Sequence, residues 1–178
     1  MALVVFLRGV NVGGHRTFRP SLLAQQLKPY GAVNIGAAGT FVIPKPVRQA
    51  DLRAELQRRL PFDAEIMICT GRELIDIASN NPFGDEPIPS DVVRFVSILA
   101  KRPRALPSLP LSFPPDGAWL LRILGTENRF VFGVYRRHMK AIRYLGAIDA
   151  LFGAAATTRN WNTVAAIVGV LKGVDESK

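Results

Sequence analysis

The five residues Leu3, Val4, Val5, Phe6 and Leu7 constrain this chain most. The run is apolar throughout, short, and ended at once by Arg8 and Gly9. A continuous apolar stretch of that length, rich in β-branched and aromatic side chains, predicts a central strand. Such a strand needs partners along its edges and a covering layer, so the neighbouring segments must supply further strands and helices.

The following residues do so. After a glycine-rich turn, Pro20 suits the first turn of a helix, with Leu22, Leu23, Gln26 and Leu27 on one face and Pro29 and Gly31 ending it. Residues 33–35 and 40–43 predict a hairpin across Ala37-Ala38-Gly39, stopped by Pro44 and Pro46, which cannot donate to a sheet ladder. Residues 50–60 predict an amphipathic helix, with Leu52, Leu56 and Leu60 spaced by four. Residues 65–69 return as a strand. Strand, helix, strand, strand, helix, strand is the split βαβ arrangement of ferredoxin-like domains, with both helices on one sheet face. Thr70-Gly71-Arg72-Glu73 then matches a capping box opening a helix over residues 71–79.

The second half is less regular. Residues 85–90 form a loop with two prolines and mark a boundary. Residues 92–99 predict a strand, and 101–115 an extended crossover, because five prolines interrupt every periodic pattern. Residues 119–124 and 130–135 predict a hairpin, 147–152 a short helix, and 160–171 a last helix capped by Thr157 or Thr158. The order of strand, crossover, hairpin and helix reads as a loose second copy of the first half. The expectation is an α+β fold: a ferredoxin-like βαββαβ half with its trailing helix over residues 1–84, packed with a second αβ half over 85–178 that closes with a C-terminal helix.

Composition narrows the classes. With 48% apolar and 21% charged residues the chain is in the ordinary globular range. Its longest apolar run near the C-terminus, residues 164–171, falls well short of the roughly 18 residues of a membrane span. The opening residues lack the basic leader and cleavage site of a secretory signal. Cys69 is the only cysteine, which excludes an internal disulfide. These features predict a cytoplasmic protein without a membrane partner. The net charge of +9 is uneven: residues 1–60 carry +7, 61–100 carry −5 and 101–143 carry +7. Basic segments flanking an acidic one attract anionic partners, or pair with each other.

Three motifs resemble a known family. Phe6-Leu7-Arg8-Gly9-Val10-Asn11-Val12-Gly13-Gly14 is similar to the usual opening of bacterial proteins classed as domain of unknown function 1697. Asn81-Pro82-Phe83 resembles that family's central Asn-Pro-Phe, and Thr158-Arg159-Asn160-Trp161-Asn162-Thr163-Val164 its closing signature. The spacing covers nearly the whole chain. The resemblance implies a fold built on ferredoxin-like halves and brings no activity, substrate or catalytic residue. At Ala37-Ala38-Gly39-Thr40 the chain departs from the family's common Gln-Ser-Gly-Asn.

Two motifs and one segment carry candidate chemistry. In the opening loop, backbone amides of Gly13 and Gly14 could converge on an anion beside Arg8, Asn11 and His15. The spacing matches neither the phosphate loop nor the dinucleotide fingerprint, and a turn needing positive φ explains the glycines equally. In the closing motif, Arg159, Asn160 and Asn162 would crowd polar groups at a helix start, where anions are favoured and where ordinary caps also stand. Both motifs put an arginine with asparagines at a helix entrance, so they are expected to share one polar cleft. The segment from Arg129 to Arg143 adds Arg136, Arg137 and Lys140, interleaved with Phe130, Tyr135 and Tyr144, a mixture suited to nucleic acid or to a solvated surface over a core.

Other chemistries are poorly served. Two histidines and one cysteine exclude a multi-histidine or cysteine metal site, and no nucleophile elbow occurs. No cofactor and no metal are expected. The leading expectation is a basic binding module for nucleic acid or a phosphorylated ligand. The alternatives are an enzyme acting on a phosphorylated or nucleotide-like small molecule, with Arg8 and Arg159 neutralising phosphate while Asn11 and His15 orient the reacting group, or a structural partner in a complex.

Overall fold

The computed structural model describes residues 1–10, 14 and 17–175, and shows two antiparallel sheets in an α+β fold. The chain forms two compact units. The first comprises residues 1–79 and the chain from Thr163 onward, and the second Asn80–Asn162.

In the first unit, β1 (Leu3–Arg8), α1 (Pro20–Gln26), β2 (Val33–Asn34), β3 (Thr40–Ile43), α2 (Gln49–Arg59) and β4 (Glu65–Thr70) follow the order expected, and the sheet runs β2-β3-β1-β4. Residues 3–7 are buried throughout, as an uninterrupted apolar strand requires. Leu3, Val5 and Leu7 pack against Leu23 and Leu27 near α1 and against Leu52 and Leu56 of α2. Fully burying each such leucine contributes about 1.5–3 kcal/mol. The end of β1 is tied to the hairpin by Leu7 N–H donating to the Gly39 carbonyl at 2.8 Å. Gly39 has φ +77°, and a Cβ there would lie 2.8 Å from Val10 Cγ2. Only glycine meets both demands.

The helix α3 (Gly71–Ser79) opens on the expected capping box. Glu73 N–H donates to Thr70 Oγ1 at 3.2 Å, and Thr70 N–H to Glu73 Oε2 at 2.7 Å. Two amides that the helix cannot satisfy are thus paired reciprocally.

The second unit contains β5 (Val92–Leu99), β6 (Leu111–Phe113), β7 (Leu121–Glu127), β8 (Phe130–Arg136), α4 (Met139–Leu145), α5 (Ile148–Phe152) and β9 (Ala156–Asn160). Its sheet order is β6-β7-β8-β5-β9, with every neighbour antiparallel. Without β6, the order β7-β8-β5-β9 repeats β2-β3-β1-β4, and a proline-rich loop stands where the first unit has α1. One face, carrying Phe95, Leu99, Leu121, Ile123 and Val131, packs on Tyr144 and Leu145 of α4 and on Ile148 and Phe152 of α5.

Several expectations change here. The segment after β5 is not a plain crossover, since β6 pairs with β7 between Pro110 and Pro114. An edge strand accepts flanking prolines because one side needs no ladder donors. Helix α4 was not expected. Thr157 and Thr158 belong to β9 rather than to a helix entrance, because β-branched residues pair well on a sheet and Ser97 and Thr158 share a hydroxyl bond at 2.6 Å. The last helix, α6 (Trp161–Asp175), starts from Asn160, whose Oδ1 accepts from Asn162 N–H at 2.9 Å. The boundary between the units falls before Asn80 rather than after residue 84, and from Thr163 α6 groups with the first unit, where Leu171 packs on Gly71.

Candidate functional site

Of the opening loop, Asn11, Gly13 and His15 lie outside the described residues. Gly14 has φ +76°, in keeping with a turn that demands glycine. Arg8, at the end of β1, pairs with Glu65 at the start of β4 at 3.1 Å, across the register that joins these strands. A carboxylate therefore already engages this guanidinium. Arg8 belongs to the first unit, whereas Arg159, Asn160 and Asn162 belong to the second.

The closing motif is built for packing. Arg159 is only 8% exposed, and its Nη1 donates to Thr157 Oγ1 at 2.8 Å and to the Thr158 carbonyl at 3.0 Å. Burial pushes its pKa down to about 10, since a charged group loses hydration there. Asn160 acts as the cap of α6, while Asn162, inside the first turn, contributes its backbone amide. Trp161 lies 5.0 Å from Phe83 and 5.9 Å from Phe132, edge to face. The central Asn-Pro-Phe motif and the closing motif thus meet through Phe83 and Trp161. Asn81 has φ +44°, and its Nδ2 donates to Asp85 at 2.8 Å, which shapes the loop that presents Phe83.

The residues of the basic segment separate. Arg129 stands in the β7–β8 turn, and Arg136 at the far end of β8, roughly 20 Å away at strand rise. Lys140 and Arg143 are exposed on α4, which covers the Phe95 face, while side-chain alternation turns Arg136 to the other face. Arg137, exposed, follows β8 and donates from Nε to the Ser90 carbonyl at 3.3 Å.

On that other face a different cluster forms around Trp119. Cross-strand register aligns Arg94 of β5, Val134 of β8, Arg122 of β7 and Ser112 of β6 in one row. Arg122 Cζ lies 4.8 Å from the centre of the Trp119 ring, and Arg136 Cζ lies 4.4 Å from it. Both are in the range where an indole face attracts a cation. Arg122 Nε donates to Ser112 Oγ at 3.0 Å, which sets the guanidinium plane. Arg136 donates from Nε to the Trp119 carbonyl at 3.3 Å and from Nη1 to Asp91 at 2.7 Å. Further along the row Arg94 lies 5.5 Å from the Phe83 ring and donates to the Glu86 carbonyl at 2.6 Å. All three arginines and Trp119 are half-buried, so their stems are held against the fold.

The sequence reading missed Trp119, Arg122 and Arg94. The available signal was the hairpin register, but a β-bulge between Ile123 and Gly125 shifts it by one residue. Counting back from the turn without the bulge puts Arg122 opposite Tyr135 and on the wrong face.

Among the described residues no helix is long and apolar enough to cross a membrane. No curated protein matches the chain. A solved structure titled as that of conserved bacterial protein SP0830 from Streptococcus pneumoniae is similar at 14% identity, with a TM-score of 0.59, covering 96% of this chain and 98% of its own. That likeness shows the fold. The profile of a family described as "Protein of unknown function (DUF1697)" matches residues 1–109, well over half of the sequence. The chain belongs to the DUF1697 family.

Proposed function

We propose that this protein binds nucleic acid, taking single strands across the sheet face that carries Arg94, Arg122 and Arg136. The observation that supports it is the Trp119 cluster, in which two guanidinium groups lie within 5 Å of one half-exposed indole. Arginines held against a ring keep their planes fixed, so less side-chain freedom is lost when they meet phosphate. Guanidinium planes also offer a stacking surface to unpaired bases. A sheet studded with such groups is a sequence-tolerant platform, strongest for single strands whose bases are free to splay. The exposed Arg137, Lys140 and Arg143 add to the positive field that draws a polyanion toward this unit.

The reading includes a cytoplasmic, bacterial setting, supported by the buried Cys69 as sole cysteine and by the bacterial similar structure. The test is fluorescence anisotropy with a labelled oligothymidylate at low salt. Binding that weakens about tenfold or more in Arg122→Ala supports the proposal, at the size of one lost charge-assisted contact. Absence of binding to both single- and double-stranded probes rejects it.

A further inference from the structure

We infer that a second site, a cavity of about 500 Å³ beside the C-terminal end of α5, binds the phosphate group of a small phosphorylated molecule. Lys101, Arg102 and Arg104 line it together with Leu151 and Phe152. Three cations within four residues repel one another, so in an unstructured loop they would turn apart into solvent. Here they border a single hollow instead.

The fold explains why the hollow exists. In the first unit α1 lies against the sheet beside α2. In the second unit the segment after β5 is the proline-rich loop, too broken to fill the same width, and space remains between it and α5. The loop is nonetheless anchored. Ala100 N–H donates to the Ala155 carbonyl at 2.8 Å, and the Arg102 guanidinium bonds to Asn128 in the β7–β8 turn. Those ties fix the start of the basic run.

Among the described residues, no acidic side chain lines the cavity. The nearby Asp149 of α5 accepts at 3.2 Å from Ala156 N–H, which commits that carboxylate to β9. A dianionic phosphate group would satisfy Lys101 and Arg104 at once, as charge-assisted bonds to phosphate are the strong ones. The apolar wall of Leu151 and Phe152 then suits a carbon skeleton attached to that phosphate, and the volume is that of an ordinary small-molecule site. This cavity shares no residue with the Trp119 cluster.

The experiment titrates the full chain with inorganic phosphate and with phenyl phosphate by calorimetry. The expected result is saturable one-to-one binding of both, with phenyl phosphate the tighter because its ring meets the apolar wall. Lys101→Ala with Arg104→Ala should weaken phenyl phosphate about tenfold or more, the size of a lost charged contact. Ala105→Glu, which brings a carboxylate to the same lining and removes no cation, should do likewise. A charge-matched control, Lys45→Ala with Lys172→Ala, should keep wild-type affinity. The inference is overturned by an absence of saturable binding, by affinity unchanged in both cavity variants, or by an equal loss in the control.

Discussion

Gly133 is where the second unit's sheet is least able to accept a side chain. It lies in the middle of β8, paired with Phe95 on one side and Ile123 on the other. A Cβ built there would fall 2.5 Å from Phe95 Cζ and closer still to the backbone carbonyl oxygen of Arg122. Phe95 is fully buried, and the carbonyl belongs to a paired strand, so neither can retreat without moving β7 or the core. Inserting one methyl into a packed site of ordinary tightness costs about 1–3 kcal/mol. With a backbone atom as the obstacle, Gly133→Ala should fall at or above the top of that range, about 3 kcal/mol. Gly125 supplies the control: it lies in the adjacent strand β7, and a Cβ there meets nothing within 4 Å. Gly125→Ala should stay within about 0.5 kcal/mol, as surface changes without a named mechanism do. Urea unfolding followed by circular dichroism compares the two variants. If Gly133→Ala costs no more than Gly125→Ala, the close approach of β7, β8 and Phe95 is wrong, and so is the register that puts Arg122 beside Trp119.

Further outcomes are open to measurement. Thr70→Ala removes the two hydrogen bonds of the Thr70 hydroxyl to Glu73 and should cost about 1 kcal/mol in urea unfolding, with Thr70→Ser restoring most of it. Asp91→Asn removes the carboxylate charge that engages Arg136 and should tighten oligonucleotide binding severalfold in anisotropy, whereas weaker binding would show that Asp91 chiefly orients the arginine. Arg159 has its folded-state pKa pushed down to about 10, below its unfolded value, so above about pH 10 the unfolded chain holds the extra proton. The contribution of Arg159 to stability therefore rises with pH from there. Urea midpoints of wild type and Arg159→Met, compared at pH 9 and near pH 11, should shift in favour of wild type at the higher value; a constant difference would contradict the burial.

The first unit was largely legible because its signals are local. Capping, proline placement and four-residue leucine spacing each act within one turn or one strand, and all point to the same arrangement. The second unit depends on signals that single residues do not carry. Helix α4 is short, and Met139 and Ile142 are exposed at 87% and 67%, so its apolar pattern does not mark the buried side that Ala141 forms. Thr157 and Thr158 are good caps and good strand residues alike, and only pairing with β5 decides between them. Arg122 and Arg136 are fourteen positions apart, brought together by antiparallel pairing and by one bulge. A site assembled by register cannot be read from the spacing of its residues.

The salt dependence of oligonucleotide binding tests the Trp119 cluster most directly. Each phosphate neutralised on a single strand contributes about −0.7 to the slope of log affinity against log salt. Three arginines engaged together should give a slope of roughly −2 for the wild type, and Arg122→Ala should reduce its magnitude by about 0.7. A wild-type slope near zero, or a slope that Arg122→Ala leaves unchanged, would contradict phosphate contact at this face.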